Sequence, residues 1–162
     1  MAQPFQTFVD TYNGTGHDMD GAYGYQCWDG YAFYMQWLGY SYAHCTATGG
    51  AVDIWTLRAT NGMMATCEVI TSNPQNGDIA VWGTNMGGGY GHVAMYYNGK
   101  YMGQNQSGGS STGAPFSIIS ISTAPLGWFR PNCYKGGSGG DTYKLQLTLV
   151  GGIVINAQWV KQ

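Results

Sequence analysis

Apolar side chains at Phe5, Phe8, Val9 and Tyr12 fall at i, i+3, i+4 and i+7, which predicts a short amphipathic helix with Pro4 at its first position and Gly14 just past its end. Residues 15–26 hold Gly, Asp and His without apolar periodicity and read as a long loop. The helical period returns at Trp28, Tyr31, Ala32, Met35 and Leu38 and stops at Gly39, so Cys27 opens a helix. A third, shorter helix is expected from Ala51 to Ala59, ahead of Asn61-Gly62. Beyond Asn73-Pro74 the pattern becomes strand-like, at 78–83, 92–98, 101–106, 116–123 and 127–130, with Asn98-Gly99 as a tight hairpin turn. Helices first and antiparallel strands afterwards predict an α+β domain whose N-terminal helices pack on a central antiparallel β-sheet.

Composition narrows the class. The chain has 162 residues, enough for one domain with its own core, and only 9% of them are charged, whereas 27 are Gly and 15% aromatic. The net charge is -2, and the six Lys and Arg stand singly, without the basic stripe that a phosphate backbone demands, so no nucleic-acid partner is expected. The longest apolar runs, such as Ile79 to Trp82, are far short of the roughly 20 residues that cross a bilayer, so no membrane insertion is expected. Residues 1–6 lack a basic, apolar leader; a chain already cleaved from its leader would read the same way.

The four cysteines, at 27, 45, 67 and 133, show neither C-x-x-C spacing nor a zinc-finger histidine pattern. Reduced thiols are the expectation, with a Cys45–Cys67 disulfide left open. Cys27 differs from the rest in its surroundings. A helix N-terminus together with an imidazole lowers a thiol pKa and makes a nucleophile. Of the imidazoles of His17, His44 and His92, only His92 begins a predicted strand directly after a Gly-rich loop, Gly87 to Gly91. Asn105, on the neighbouring strand across the Asn98-Gly99 turn, counts back to a place near His92 and Val93 and would fix the imidazole tautomer. Each residue taken singly has a plain structural role open to it; the order Cys, His, Asn on a helix followed by a sheet is the papain-like arrangement.

The stretch from Asp18 to Asp29 (Asp-Met-Asp-Gly-Ala-Tyr-Gly-Tyr-Gln-Cys-Trp-Asp) is followed by Gly77 to Trp82, Tyr90 to Val93, Gly103 to Gln106 and Gly127 to Pro131. Across about residues 3–133 these motifs resemble the CHAP family, the cysteine, histidine-dependent amidohydrolases/peptidases found as catalytic domains of bacteriophage endolysins. The resemblance implies a papain-like CHAP fold, and a peptidoglycan hydrolase that cuts an amide bond of the bacterial wall as an N-acetylmuramoyl-L-alanine amidase or an endopeptidase. It puts the nucleophile on Cys27, the base on His92 and the orienting group on Asn105. Several phage members have a Glu two residues before that Asn, where this chain has Gly103. Backbone amides at the helix start, with Gln26 as a weaker donor, would form the oxyanion site, and Tyr25, Trp28, Trp82 and Tyr90 would line the substrate groove.

Asp18, Asp20 and Asp29 crowd into twelve positions and stand at places 1, 3 and 12 of an EF-hand-like order, with the Ala22 and Gly24 carbonyls at 5 and 7, although Tyr23 takes the place of the usual Gly. The resemblance implies a structural Ca2+ here, since several phage CHAP domains look the same in this loop; a His found in some of them stands as Gly24 in this chain.

These readings divide the chain into a catalytic domain at 1–134, a Gly/Ser linker at 135–140 and a tail at 141–162. Tyr143, Leu145, Leu147 and Leu149 alternate with polar residues, as do Ile153, Ile155, Ala157 and Trp159, which predicts a hairpin. A three-residue loop, Val150 to Gly152, would pair Leu149 with Ile153 and align both apolar rows. An isolated hairpin is marginal in water, so its apolar face is expected to be covered by the catalytic domain, by self-association with another chain, or by a cell-wall-binding region. The expected partner is peptidoglycan, reached at lysis after synthesis in the host cytoplasm. The other readings are an exported bacterial wall-remodelling amidase, a catalytically silent wall-binding module of the same fold, and a papain-like protease of protein substrates.

Overall fold

The computed structural model describes residues 4–106 and 111–136 in full, and 143–150 and 153–161 as backbone. Four helices come first: α1 (Phe5–Tyr12), α2 (Cys27–Trp37), and the one-turn α3 (Asp53–Thr56) and α4 (Met63–Thr66). The strands follow as β1 (Cys67–Ile70), β2 (Ile79–Trp82), β3 (His92–Tyr97), β4 (Lys100–Gly103), β5 (Ser117–Ile119), β6 (Gly127–Pro131), β7 (Tyr143–Val150) and β8 (Ile153–Lys161). The first six form one antiparallel sheet in the order β1-β6-β2-β3-β4-β5, and β7 and β8 form a second. The expected α+β architecture is therefore present.

The helix α1 presents Phe5, Phe8 and Val9 to the core, as its periodicity requires, with Pro4 flanking the helix one place earlier than expected. Phe8 is completely buried and meets Tyr34 and Trp37 of α2 and Phe116 edge-on, at ring distances of 4.9, 5.2 and 5.6 Å. Its truncation to Ala would cost about 3–5 kcal/mol. The helix α2 buries Tyr31, Ala32, Tyr34 and Met35. It ends in a Schellman motif: Gly39 has φ +79°, its N–H donates to Gln36 O, and Tyr40 N–H donates to Met35 O, both at 2.9 Å.

The hairpin of β3 and β4 turns at Asn98 and Gly99, both left-handed, with Tyr97 opposite Lys100. The strand β1 was absent from the periodicity because its four residues, Cys-Glu-Val-Ile, carry no alternation. It places Glu68 inside the sheet's edge strand, where the carboxylate lies 3.7 Å from Lys135 Nζ. The expected helix at 51–59 contracts to α3, beyond which the chain runs through turns to Asn61. Burial of Asp78 beside β2 is balanced by Arg130 of β6, whose Nε and Nη2 donate to the two carboxylate oxygens at 3.0 and 2.7 Å.

The tail is a hairpin, but its register differs from the expected one. Leu149 faces Val154 and Val150 faces Ile153, so the strands meet one residue out of phase. A bulge between Thr148 and Leu149 then absorbs Ile155, returning Leu147 opposite Ala157 and Leu145 opposite Trp159. The alternation is satisfied by a bulge instead of a longer loop. Most of the expected linker, from 137 on, lies outside the described residues.

Candidate active site

Cys27 is the first residue of α2, and Gln26, with extended φ/ψ, precedes it as the N-cap. Asp29 holds this helix start: its Oδ2 accepts the Gln26 N–H and its Oδ1 the Met19 N–H, both at 2.9 Å. A buried carboxylate at the third helical position satisfies an otherwise orphan donor and complements the helix dipole. The Cys27 sulfur, partly buried, lies against the backbone N–H of Val93 as well as those of Trp28 and Cys27 itself. That contact joins the helix start to β3 at the residue following His92.

His92 is buried, 5% exposed, opposite Trp82 in the ladder, with the two rings 5.4 Å apart. The Gly-rich loop before it docks through its backbone: Tyr90 O accepts the Val52 N–H at 3.1 Å, and Gly91, at φ +80°, passes so near Trp82 O that a Cβ would sit 2.6 Å from it. His17 and His44 lie elsewhere. His17 stacks on Phe33 at 3.6 Å and shares a hydrogen bond with the Thr15 hydroxyl, whereas His44 is exposed and tilts over Trp28 at 5.4 Å.

Burial dominates the electrostatics. Loss of solvent pushes the Cys27 thiol up to about 11, past the opposing effect of the three backbone amides, and lowers His92 to about 4. Burial thus opposes the depression of the thiol expected from the helix start, and in His92 it disfavours the charged ring. Cys45 and Cys67 are pushed higher, to about 12. All four cysteines are free thiols, and no Cys45–Cys67 disulfide forms.

The β3–β4 pairing ends with Met95 opposite Met102; continued in step it would bring Asn105 opposite His92, close to where counting through the hairpin puts it. The strand β4, however, ends at Gly103, and Asn105 takes a left-handed φ of +52° with its N–H on Ala114 O. Its carboxamide Nδ2 donates to Gln26 Oε1 at 2.7 Å. Gln106 also reaches the His92 ring, its Oε1 3.5 Å from Nε2. Gln104, fully buried, accepts the His17 N–H at 2.7 Å and donates to the His17 and Gln26 carbonyls at 2.9 and 3.1 Å, so it pins the 15–26 loop to β4. Neither Gln carries a sequence signature of its own; the run Gly-Gln-Asn-Gln drew attention to Asn105 alone.

The Gln26 side chain is held at both ends, its Nε2 donating to Tyr23 O at 2.6 Å. Among the expected groove residues, Tyr90 is 61% exposed and Tyr25 39%. Tyr25 lays its ring over Gly16. Trp28 is partly buried and anchored by Nε1 on Ala43 O at 2.9 Å. Trp82 does not belong to the groove: it is fully buried, its Nε1 donates to Thr123 O at 2.7 Å, and Tyr101 meets it edge-on. Position 82 on an all-buried strand had to face one side of the core or the other.

The carboxylates of Asp18, Asp20 and Asp29 bring ligand oxygens within 4.8 Å of one another. Asp18 Oδ1 accepts the Gly21 N–H and Asp20 Oδ1 the Ala22 N–H. Burial and then the charges of Asp20 and Asp18 raise the Asp29 pKa. The two ion pairs among the described residues, Arg130–Asp78 and Lys135–Glu68, lie elsewhere. The Gly24 carbonyl accepts the Gln26 N–H at 2.9 Å.

The CHAP domain family profile matches residues 16–105. Over 138 residues the chain is 38% identical to the D-alanyl-L-alanine endopeptidase of Streptococcus phage B30, covering 81% of this chain and 31% of that protein. Over 100 residues it is 30% identical to endolysin PlyTW of Staphylococcus phage Twort, covering 57% of this chain and 20% of that one. The chain thus spans about a third or less of the length of these relatives. Among solved structures, wild-type endolysin LysIME-EF1 superposes with a TM-score of 0.60 over 91% of this chain and 74% of its own, at 23% identity, a likeness of fold.

Proposed function

Because the chain belongs to the CHAP domain family, we propose that it hydrolyses an amide bond of bacterial peptidoglycan, with Cys27 as nucleophile and His92 as base. The observation that carries this reading is the seating of the Cys27 sulfur against the Val93 N–H, which brings the first residue of α2 to the strand position next to His92. His92 takes the thiol proton as the sulfur attacks the substrate carbonyl. The separated charges, each disfavoured alone by burial, then stabilise one another. His92 returns the proton to the leaving amine, and water hydrolyses the thioester with His92 as base. The Cys27 N–H at the helix start is the natural oxyanion donor. Gln26, held by Asn105 and Tyr23, keeps that start in place.

Of the two bonds, the cross-link peptide is the better candidate, since the relative from phage B30 is an endopeptidase. The wall is reached at phage lysis, in keeping with the phage origin of both relatives. Incubation with peptidoglycan of defined cross-link, followed by mass spectrometry of the fragments, tests this. New peptide amino termini with the muramoyl-alanine bond intact are expected; release of whole stem peptides would make the chain an amidase, and cleavage of casein alone would refute a wall substrate.

The acidic loop is suited to calcium. Asp18, Asp20 and Asp29, with the Ala22 and Gly24 carbonyls, would hold the ion, and the crowding of two exposed carboxylates beside the buried Asp29 is the observation that favours a cation. The ion would supply charge compensation, and Asp29 would transmit it to the start of α2 through its bond to Gln26 N–H. The tail hairpin is assigned to contact with a wall-binding region or a second copy of the chain.

A further inference from the structure

The carboxamide of Gln106 has only one orientation that its surroundings accept. Its Nε2 lies 2.6 Å from Ser117 O and 3.2 Å from Tyr101 O, two backbone carbonyls that offer no proton. The NH2 group must face them, because a flipped amide would set oxygen against two oxygens. With both hydrogens so used, Oε1 is directed at His92 Nε2, 3.5 Å away. An amide oxygen can only accept, so the ring nitrogen facing it carries the proton.

Space for this arrangement comes from Gly103. A Cβ there would lie 3.2 Å from both Cδ and Oε1 of Gln106 and 2.8 Å from the Ala94 Cβ. The Gln106 carboxamide occupies the volume over Gly103 that a side chain on β4 would otherwise take. The left-handed turn at Asn105 ends the strand alternation and lets Gln106 fold back over it.

We propose that Gln106 is the positioning residue of His92, fixing the neutral ring as the Nε2–H tautomer and leaving the lone pair on Nδ1, the nitrogen nearer the His92–Val93 backbone against which the Cys27 sulfur rests. This rests on the assignment of Cys27 and His92 as the reacting pair. The 3.5 Å separation is long for a resting hydrogen bond, and it shortens as the ring gains charge on accepting the thiol proton. A neutral amide orients the ring without adding a negative charge to a buried site, in keeping with a His92 whose pKa stays low.

The test is 15N NMR of ring-labelled intact protein, which distinguishes the two neutral tautomers of His92, joined to kinetics of Gln106→Met, a near-isostere without acceptor or donor. The expected results are Nε2–H in the parent, loss of that preference in the variant, and a fall of about 10 to 1,000-fold in kcat at little-changed KM. An Nδ1–H ring in the parent overturns the proposal whether or not the variant folds. Kinetics of Gln106→Met within about twofold of the parent overturn it as well, provided that Cys27→Ala and His92→Ala are inactive. Should those two variants retain activity, it is the underlying assignment of the pair that fails.

Discussion

The two halves of the site are built by different physics. On the helix side, Cys27 is placed by a loop of short polar contacts: Asp29 to two backbone amides, Gln26 to Tyr23 and Asn105, and three left-handed residues at Gly21, Tyr23 and Gly24. On the sheet side, His92 is placed by packing between strands, against a fully buried Trp82 and the anchored carboxamide of Gln106. The first half gathers three carboxylates; in the second, burial disfavours the charged form of His92. The contrast means that ions and acid should act on the two halves differently, and that damage to the sheet half should be the less easily reversed.

The largest effect that separates the halves is His92→Ala. It removes the imidazole next in sequence to Val93, against whose N–H the Cys27 sulfur lies, and should lower turnover by about 10²–10⁴-fold with an unchanged circular dichroism spectrum. No addition of calcium should restore it. Chelation by EDTA comes next: activity and melting temperature should fall together and return with calcium, and Asp20→Ala should lose the response. Full activity and an unmoved melting curve in EDTA would remove calcium from the helix half.

Acid sharpens the comparison through opposite signs. His92 is held at about 4, below its unfolded value of 6.5, so its contribution is full above pH 6.5 and lost as pH falls towards 4, about 3 kcal/mol in all. Asp29 is raised, so its contribution is present at low pH and lost as pH rises through its folded value. Urea titrations between pH 4 and 7 should therefore show His92→Phe flattening the acid loss of stability and Asp29→Asn flattening the opposing trend. Equal pH slopes in both variants and the parent would contradict these environments. Smallest is Tyr90→Ala at the exposed rim, expected to raise KM by a few-fold with no change in melting temperature.

Much of the helix half was legible in the sequence because its signals are local. The period from Trp28 to Leu38 set α2 and put Cys27 at its start, and the crowding of Asp18, Asp20 and Asp29 was visible as spacing. In the sheet half, counting through the Asn98-Gly99 hairpin put Asn105 near His92 and Val93, whereas the observed pairing runs from Tyr97 opposite Lys100 to Met95 opposite Met102 and stops there. What counting could not show was the left-handed φ of Asn105 and the approach of Gln106 to the ring. Trp82 escaped for a related reason, since a strand buried on both faces has no alternation to say which side is groove. For the thiol, the helix start argues for a low pKa, and the burial that opposes it is visible only in the packed structure. In the tail, alternation predicted aligned rows but not the bulge that aligns them.

The most direct test of the account is the rate at which Cys27→Ala clears a suspension of purified Gram-positive walls, with folding verified by its melting temperature. No other side chain can form the thioester, so the variant should be folded and inactive, while the parent loses activity as one equivalent of iodoacetamide is taken up at Cys27. A folded variant that still clears the suspension at roughly a tenth of the parent rate or faster would contradict cysteine catalysis at this site.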